Sequence, residues 1–180
     1  MPTDISQRFL ERSRHYLAVE YPAKIGLALH TIPPDKLWWR PNERSNSAGN
    51  LVLHLCGNVR QWIISGVGGA VDSRQRDSEF ATRDGASHAM LLHELRTTCD
   101  AVDRVLADVS PASLSEPRTI QGRDTTVMAA VYHVVEHFSG HTGQIILIAK
   151  WLTPGAVQFY DDTGGLARPT FLGDGQHDID

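Results

Sequence analysis

The feature that most constrains the fold is a long stretch near the C-terminus, from Asp124 or Thr125 to about Leu152, in which apolar side chains recur every three or four positions. This spacing places them on one face of an α-helix, and such a face has to be buried against other elements. Its inward stripe comprises Ala130, Val134, His137, His141, Ile145 and Ile148. A long helix with a single apolar stripe is typical of a helical bundle.

Three earlier segments show the same periodicity, whereas the alternation typical of strands is scarce. The first helix is expected from about Asp4 to His30, with Pro33 and Pro34 ending it. The second is expected from a Ser47 cap to about Gly66, and the third after a Ser87 cap. The sequence therefore predicts an all-α four-helix bundle, over about residues 4–152, whose loops allow either up-down-up-down or crossover topologies.

Two loops and a tail complete the predicted organisation. A polar loop rich in Arg and Asp leads to Gly85, and a loop rich in turn-forming residues covers 111–122. Residues 153–180 are expected to be an irregular tail. A length of 180 residues is suitable for one domain, so we predict a single domain over 1–180.

Composition and charge exclude several functions. The net charge is −4 and the basic residues are scattered, which argues against nucleic acid binding. No window approaches the roughly 18 apolar residues of a membrane span, and the polar segment Met1 to Glu11 does not resemble a secretion signal. A cytoplasmic location is therefore expected. Cys56 and Cys99 are expected to be buried core residues rather than part of a disulfide framework.

The nine histidines fall into two groups. Five are expected at the surface: His15, His30, His88, His93 and His177. The other four, which lie in apolar helical stretches, are His54, His133, His137 and His141. His137 and His141 are four residues apart, so their rings lie one turn apart on the same helix face and can converge on one ion. Both share the phase of the apolar stripe, which directs them into the bundle.

His54 is the expected third member of this group, because it lies on the inward stripe that includes Leu51, Leu55, Asn58 and Trp62. Buried imidazoles are costly unless each has a partner. Three inward histidines on two helices therefore predict a divalent metal site, and three protein ligands leave coordination positions open, as in catalytic sites. The alternative is an ordinary bundle in which each histidine is hydrogen-bonded and binds no metal.

A second pattern in the same helix competes with this interpretation. His133, Glu136 and His137 match H-x-x-E-H, the inverted zinc-peptidase motif, in which the two histidines bind zinc and the glutamate acts as general base. That motif also needs a third ligand well downstream, and no helical carboxylate stands out there. Chance accounts for so short a match.

Two motifs resemble those of a known family. The string His-Phe-Ser-Gly-His-Thr-Gly-Gln-Ile at 137–145, with Glu136 before it, resembles the last-helix motif of the DinB superfamily. The segment Leu-His-Leu-Cys-Gly-Asn at 53–58, followed by Trp62, resembles that family's second-helix histidine. The resemblance spans about residues 4–152. It implies a bundle in up-down-down-up order that holds nickel or zinc through His54, His137 and His141.

Further roles follow from the resemblance. Glu136 and Gln144 could orient the ligands, and His133 would be a neighbour of the site. Some members of the superfamily are S-transferases dependent on a low-molecular-weight thiol, or maleylpyruvate isomerases. We therefore expect a metal-dependent enzyme for a small-molecule substrate, with the thiol-dependent S-transferase favoured over a hydrolase and with a pocket that includes Asn58, Trp62 and Tyr132. A non-catalytic metal- or ligand-binding protein of the stress response is the alternative.

The connector after the first helix leaves one question open. Trp38 and Trp39 either close one end of the core or contribute to the interface of a homodimer.

Overall fold

The computed structural model describes residues 4–165 and 167–172; His177, one of the expected surface histidines, lies outside this range. The first long helix consists of α1 (Ile5–His15) and α2 (Tyr21–Thr31), joined without a break by a π-helical turn (Tyr16–Glu20). The second consists of α3 (Ala48–Val59) and a π-helical turn (Arg60–Ser65). The third and fourth are α5 (His88–Ala107) and α6 (Val127–Leu152), and α4 (Arg76–Ala81) is a short helix between the second and the third.

The remaining elements are small. Two 3₁₀ turns cover Pro34–Lys36 and Pro111–Ser115. Strands β1 (Pro117–Ile120) and β2 (Arg123–Thr126) form an antiparallel hairpin, and β3 (Tyr160–Asp161) pairs with β4 (Arg168–Pro169) in the tail. The predicted all-α bundle with a largely irregular tail is confirmed.

Polar side chains fix where the helices begin. Asp4, Ser47 and Ser87 accept hydrogen bonds from backbone N–H groups of the first turn, as the sequence predicts. Ser47 and Asn50 form a reciprocal capping box. The fourth helix starts later than expected, with Thr126 as its cap, because the two residues before it are paired in the β-hairpin.

Contacts along the helices define the direction of each one. The first long helix, α1 and α2, lies antiparallel to α5, since Arg14 of α1 is ion-paired with Asp103 and Gly26 of α2 lies against Leu92. α3 lies antiparallel to α6, since His54 contacts His141 and Trp62 contacts the earlier residue His133.

α3 and α5 are parallel. Trp38, which lies against Gly49 at the start of α3, donates a hydrogen bond to Ala86 O just before α5. Beyond the other end of α3, Gly68 lies against Val105 of α5. A parallel pair needs a connection that returns along the whole bundle, and residues 66–87 provide it. The order is therefore up-down-down-up, as the family resemblance implies.

The core fills the space between the four helices. Phe138 of α6 and Ile25 of α2 are fully buried, together with leucine, valine and isoleucine side chains from all four helices. Trp38 and Trp39 pack partly buried against this core. Both tryptophans thus contact the core, and a contribution to a homodimer interface stays a prediction.

The structure differs from the sequence prediction in the long connection before α5. The segment expected to be a polar loop contains α4, which is too short to produce a recognisable periodicity. Tertiary hydrogen bonds hold it in place: Asn50 Nδ2 donates to the carbonyl oxygens of Glu79 and Thr82, both at 2.8 Å. Within the described residues, no helix is both long and apolar enough to cross a membrane.

Candidate metal centre

Three histidines converge between the second and fourth helices. One ring nitrogen from each of His54, His137 and His141 lies within 4.8 Å of the others. Nε2 of His54 is 3.0 Å from Nε2 of His137, and the His141 ring stands edge-on to both rings, at centroid distances of 5.1 and 4.4 Å. The antiparallel packing of α3 on α6 thus brings together the three residues predicted from the sequence.

A buried carboxylate orients the His54 ring. His54 Nδ1 lies 2.8 Å from Glu79 Oε2, and both side chains are buried. Because an ionised carboxylate only accepts, His54 donates through Nδ1, which leaves Nε2 to carry the lone pair in the neutral ring. Carboxylate–histidine pairs of this kind fix ring orientation in metal sites and raise the basicity of the ligand.

Arg74 in turn holds Glu79. Its Nε and Nη2 donate to the two carboxylate oxygens at 2.8 and 2.9 Å. Burial by itself raises the pKa of Glu79, but the hydrogen bonds from Arg74 and His54 outweigh it and hold that pKa below its usual value. Glu79 is therefore ionised at neutral pH and acts as an acceptor only.

Gly57 makes room for this carboxylate. A Cβ atom at Gly57 would lie 1.9 Å from Glu79 Oε1, closer than any non-bonded contact allows. A side chain at position 57 would therefore displace the Glu79 carboxylate from its place beside His54.

A further hydrogen-bonded chain links the ion pair to the β1–β2 hairpin. Arg74 Nη1 donates to Gln61 Oε1 at 2.9 Å, and Gln121 at the tip of the hairpin donates to the same oxygen. Gln61 also donates to Asp72 at 2.6 Å. The backbone of Gln121 has a positive φ and is followed by Gly122, also at positive φ, as tight hairpin turns require. The hairpin is thus connected to Arg74 through the side chain of Gln61.

The two histidines of α6 are supported less evenly. His141 Nδ1 is 2.9 Å from Gln144 Oε1, the contact that the orienting role expected of Gln144 needs. Glu136 is exposed on the outer side of α6. His133 packs against Trp62 at a ring distance of 4.2 Å and lies 5.6 Å from the His137 ring. It is not in the converging group, so the structure does not assemble the H-x-x-E-H pair.

Burial favours the neutral form of the histidines on α6. It is the main reason, together with the neighbouring His141 and His54, why the pKa of His137 is lowered to about 3. Burial also lowers the pKa of His141 and of His133. A neutral imidazole is the form that binds a metal. His137 and His141 therefore offer neutral nitrogen donors, a ligand type that suits nickel and zinc.

The residues expected around the three histidines agree only in part with the sequence prediction. Asn58 and Trp62 are buried beside the histidines, but Tyr132 is 63% exposed on the outer face of α6. His30 and His93 are exposed as expected, whereas His15 and His88 are half-buried.

Both cysteines are buried in the core, as predicted. Burial raises the pKa of the Cys56 thiol to about 12 and raises that of Cys99 as well.

Sequence reasoning missed Arg74 and Glu79. They lie in a polar segment without periodicity, and nothing in their spacing indicates that they turn inward. The available clue was Gly57, a glycine next to the stripe of His54, since a glycine within a helix often marks a close approach of another element.

Residues 4–159 match the family described as protein of unknown function DUF1572. No curated protein matches the chain. Two crystal structures share the fold. A DinB-like protein from Bacillus subtilis has 19% identity and a TM-score of 0.62, covering 83% of this chain and 97% of its own. A DinB-like protein from Bacillus cereus has 15% identity and a TM-score of 0.58, covering 75% and 90%.

The buried ion pair leads to a prediction about stability. Glu79→Leu leaves the buried charge of the Arg74 guanidinium without its carboxylate and with Gln61 as acceptor, so we expect it to lower the free energy of unfolding by about 3–5 kcal/mol. The double variant Arg74→Met, Glu79→Leu removes both charges and is expected to lose much less. Urea unfolding of the four proteins of this double-mutant cycle measures the difference. Equal losses in the single and double variants would show that the pair does not act as a unit.

Proposed function

This chain belongs to the DUF1572 family, which has the DinB-like fold, and from that premise we propose that it binds one nickel or zinc ion through Nε2 of His54, His137 and His141. The observation that carries the proposal is the convergence of three imidazole nitrogens within 4.8 Å of one another. The hydrogen bonds at Nδ1 of His54 and of His141 support it, since they direct Nε2 of both rings away from the protein partners and toward the common centre.

We further propose that the centre is catalytic and takes a small-molecule substrate. Three protein ligands leave a position for an exogenous group. A divalent ion lowers the pKa of a thiol or water bound to it and so supplies a nucleophile at neutral pH. The protein contributes the fixed arrangement of the three imidazoles and the buried Glu79–Arg74 pair, which keeps His54 in the tautomer that can bind the ion.

The nucleophile we favour is the thiol of a low-molecular-weight cofactor, which makes the protein a thiol-dependent S-transferase. The chain's own thiols are unsuited to the reaction, because Cys56 and Cys99 are buried and burial raises the pKa of both. A thiol would therefore have to come from outside. If water takes its place, the same centre is a hydrolase, and a screen of electrophilic substrates with and without added thiol distinguishes the two reactions.

The metal site is tested by elemental analysis. We expect the purified protein to carry nickel or zinc in near-stoichiometric amount, and the His54→Ala and His141→Ala variants to lose it. His133→Ala is the matched control, since this histidine lies on the same helix next to the centre but outside the converging group. A wild-type protein that binds neither ion after incubation with both would overturn the proposal.

The pH dependence of metal affinity provides an independent check. Protons compete with the metal for the imidazole nitrogens. In a site of three ordinary histidines, each with a pKa of about 6.5, as many as three protons would bind as the pH falls. Since the pKa values of His137 and His141 are already lowered, we expect affinity to fall by at most about tenfold per pH unit between pH 6.5 and 5.5. Isothermal titration at several pH values measures this, and a steeper fall would contradict the lowered pKa values.

The same lowered pKa values determine the stability of the metal-free protein. Between the ordinary histidine pKa, about 6.5, and the folded-state value of about 3 for His137, the unfolded chain binds more protons than the folded one. The free energy of unfolding is therefore expected to decrease steadily as the pH falls through this window. Thermal melts of the metal-free protein measure it, and a stability that increases toward pH 4 would contradict the sign.

A further inference from the structure

One nitrogen of the three-histidine group is buried without a partner. Glu79 occupies Nδ1 of His54 and Gln144 occupies Nδ1 of His141, but among the described residues Nδ1 of His137 has no hydrogen-bond partner. A buried polar atom of this kind is uncommon and calls for a physical reason.

The hydrogen bond between His54 and His137 defines where the His137 proton lies. In its neutral form, His54 donates through Nδ1 to Glu79, and Nε2 of that form can only accept. Nε2 of His137, 3.0 Å away, must then be the donor. In the metal-free protein His137 therefore carries its proton on Nε2, and its Nδ1 is a bare acceptor.

A bound ion would reverse this arrangement. A metal takes the lone pair of a neutral imidazole nitrogen, so His137 can bind through Nε2 only if its proton moves to Nδ1. Nδ1 then becomes a buried N–H donor, and such a donor costs free energy unless an acceptor is within reach.

Asn58 supplies a buried acceptor at the same level of the bundle. Its side chain is 4% exposed, and its Oδ1 is buried with no hydrogen-bond partner. Asn58 lies one helical turn beyond His54 on α3. Since α3 and α6 are antiparallel, with His54 beside His141 and Trp62 beside His133, Asn58 comes level with His137.

We propose that metal binding shifts the His137 proton from Nε2 to Nδ1 and that Asn58 Oδ1 accepts the hydrogen bond from Nδ1–H. Asn58 is then the positioning residue for the third ligand, as Glu79 is for the first and Gln144 for the second. This inference rests on the proposed metal site. A carboxamide suits this role, because its oxygen can accept from the protonated Nδ1.

Zinc affinity of two isosteric variants tests the role of Asn58. Asn58→Leu removes the acceptor, and we expect zinc affinity to fall by about 10- to 100-fold, as for other groups that orient ligands. Thr142→Val is the matched control: its hydroxyl is also buried without a partner and adjoins His141, and we expect zinc affinity to change by less than about threefold. Isothermal titration measures both, and thermal melts of the metal-free variants show whether each is folded.

The histidine tautomers test the proton shift in the wild-type protein, without any variant. Long-range ¹H–¹⁵N correlation spectra of ¹⁵N-histidine-labelled protein should show His137 protonated at Nε2 before zinc is added and at Nδ1 afterwards. These spectra test the proton shift, and the zinc affinity of Asn58→Leu tests the role of Asn58. His137 already protonated at Nδ1 without metal would overturn the inference.

The outcomes separate the two proposals. If the wild-type protein binds zinc and Asn58→Leu binds it equally well, the role of Asn58 is refuted and the three-histidine site stands. If the wild-type protein binds no zinc, the metal site is refuted and the inference falls with it.

Discussion

The buried ion pair of Arg74 with Glu79 is the interaction on which the candidate centre depends. Glu79 is ionised although it is buried, because Arg74 and His54 both donate to it. Since the ionised carboxylate accepts only, it forces the His54 proton onto Nδ1 and leaves Nε2 facing the two histidines of α6. The orientation of His54, and through it the hydrogen bond to His137, thus originates in a helix that lies outside the four-helix bundle.

The topology of the bundle explains where that helix comes from. α3 and α5 are parallel, so the chain has to return along the full length of the bundle between them. This connection contains Arg74 and α4, and it passes over α3 at Gly57, where the absence of a side chain allows Glu79 to approach. An up-down-up-down bundle would connect the same helices by a short loop. The up-down-down-up order therefore provides the segment that completes the centre.

Much of the fold could be predicted from the sequence, because the helices are long and each has one apolar stripe. The caps Asp4, Ser47 and Ser87 and the inward phase of His54, His137 and His141 follow from local rules of helix structure. The order of the helices came from the family resemblance rather than from periodicity. The start of α6 at Val127 was missed because a hairpin pairs the residues that precede it.

Other parts of the centre could not be predicted because they depend on tertiary contacts. α4 is six residues long and is held by Asn50, a residue more than twenty positions earlier in the chain. Glu79 and Arg74 resemble solvated loop residues until that helix is placed over α3. His133 is the opposite kind of error. The H-x-x-E-H pattern suggests that it is a ligand, but its ring packs on Trp62.

X-ray absorption spectroscopy of the zinc-loaded protein tests the central claim most directly, since it reports the ligand atoms themselves. The account predicts three imidazole nitrogens at about 2.0–2.1 Å from zinc, with the remaining coordination supplied by light exogenous atoms and no sulfur in the absence of added thiol. In the His54→Ala protein this three-imidazole pattern should be lost. A zinc ion coordinated by a cysteine sulfur, or a spectrum unchanged by His54→Ala, would contradict the account.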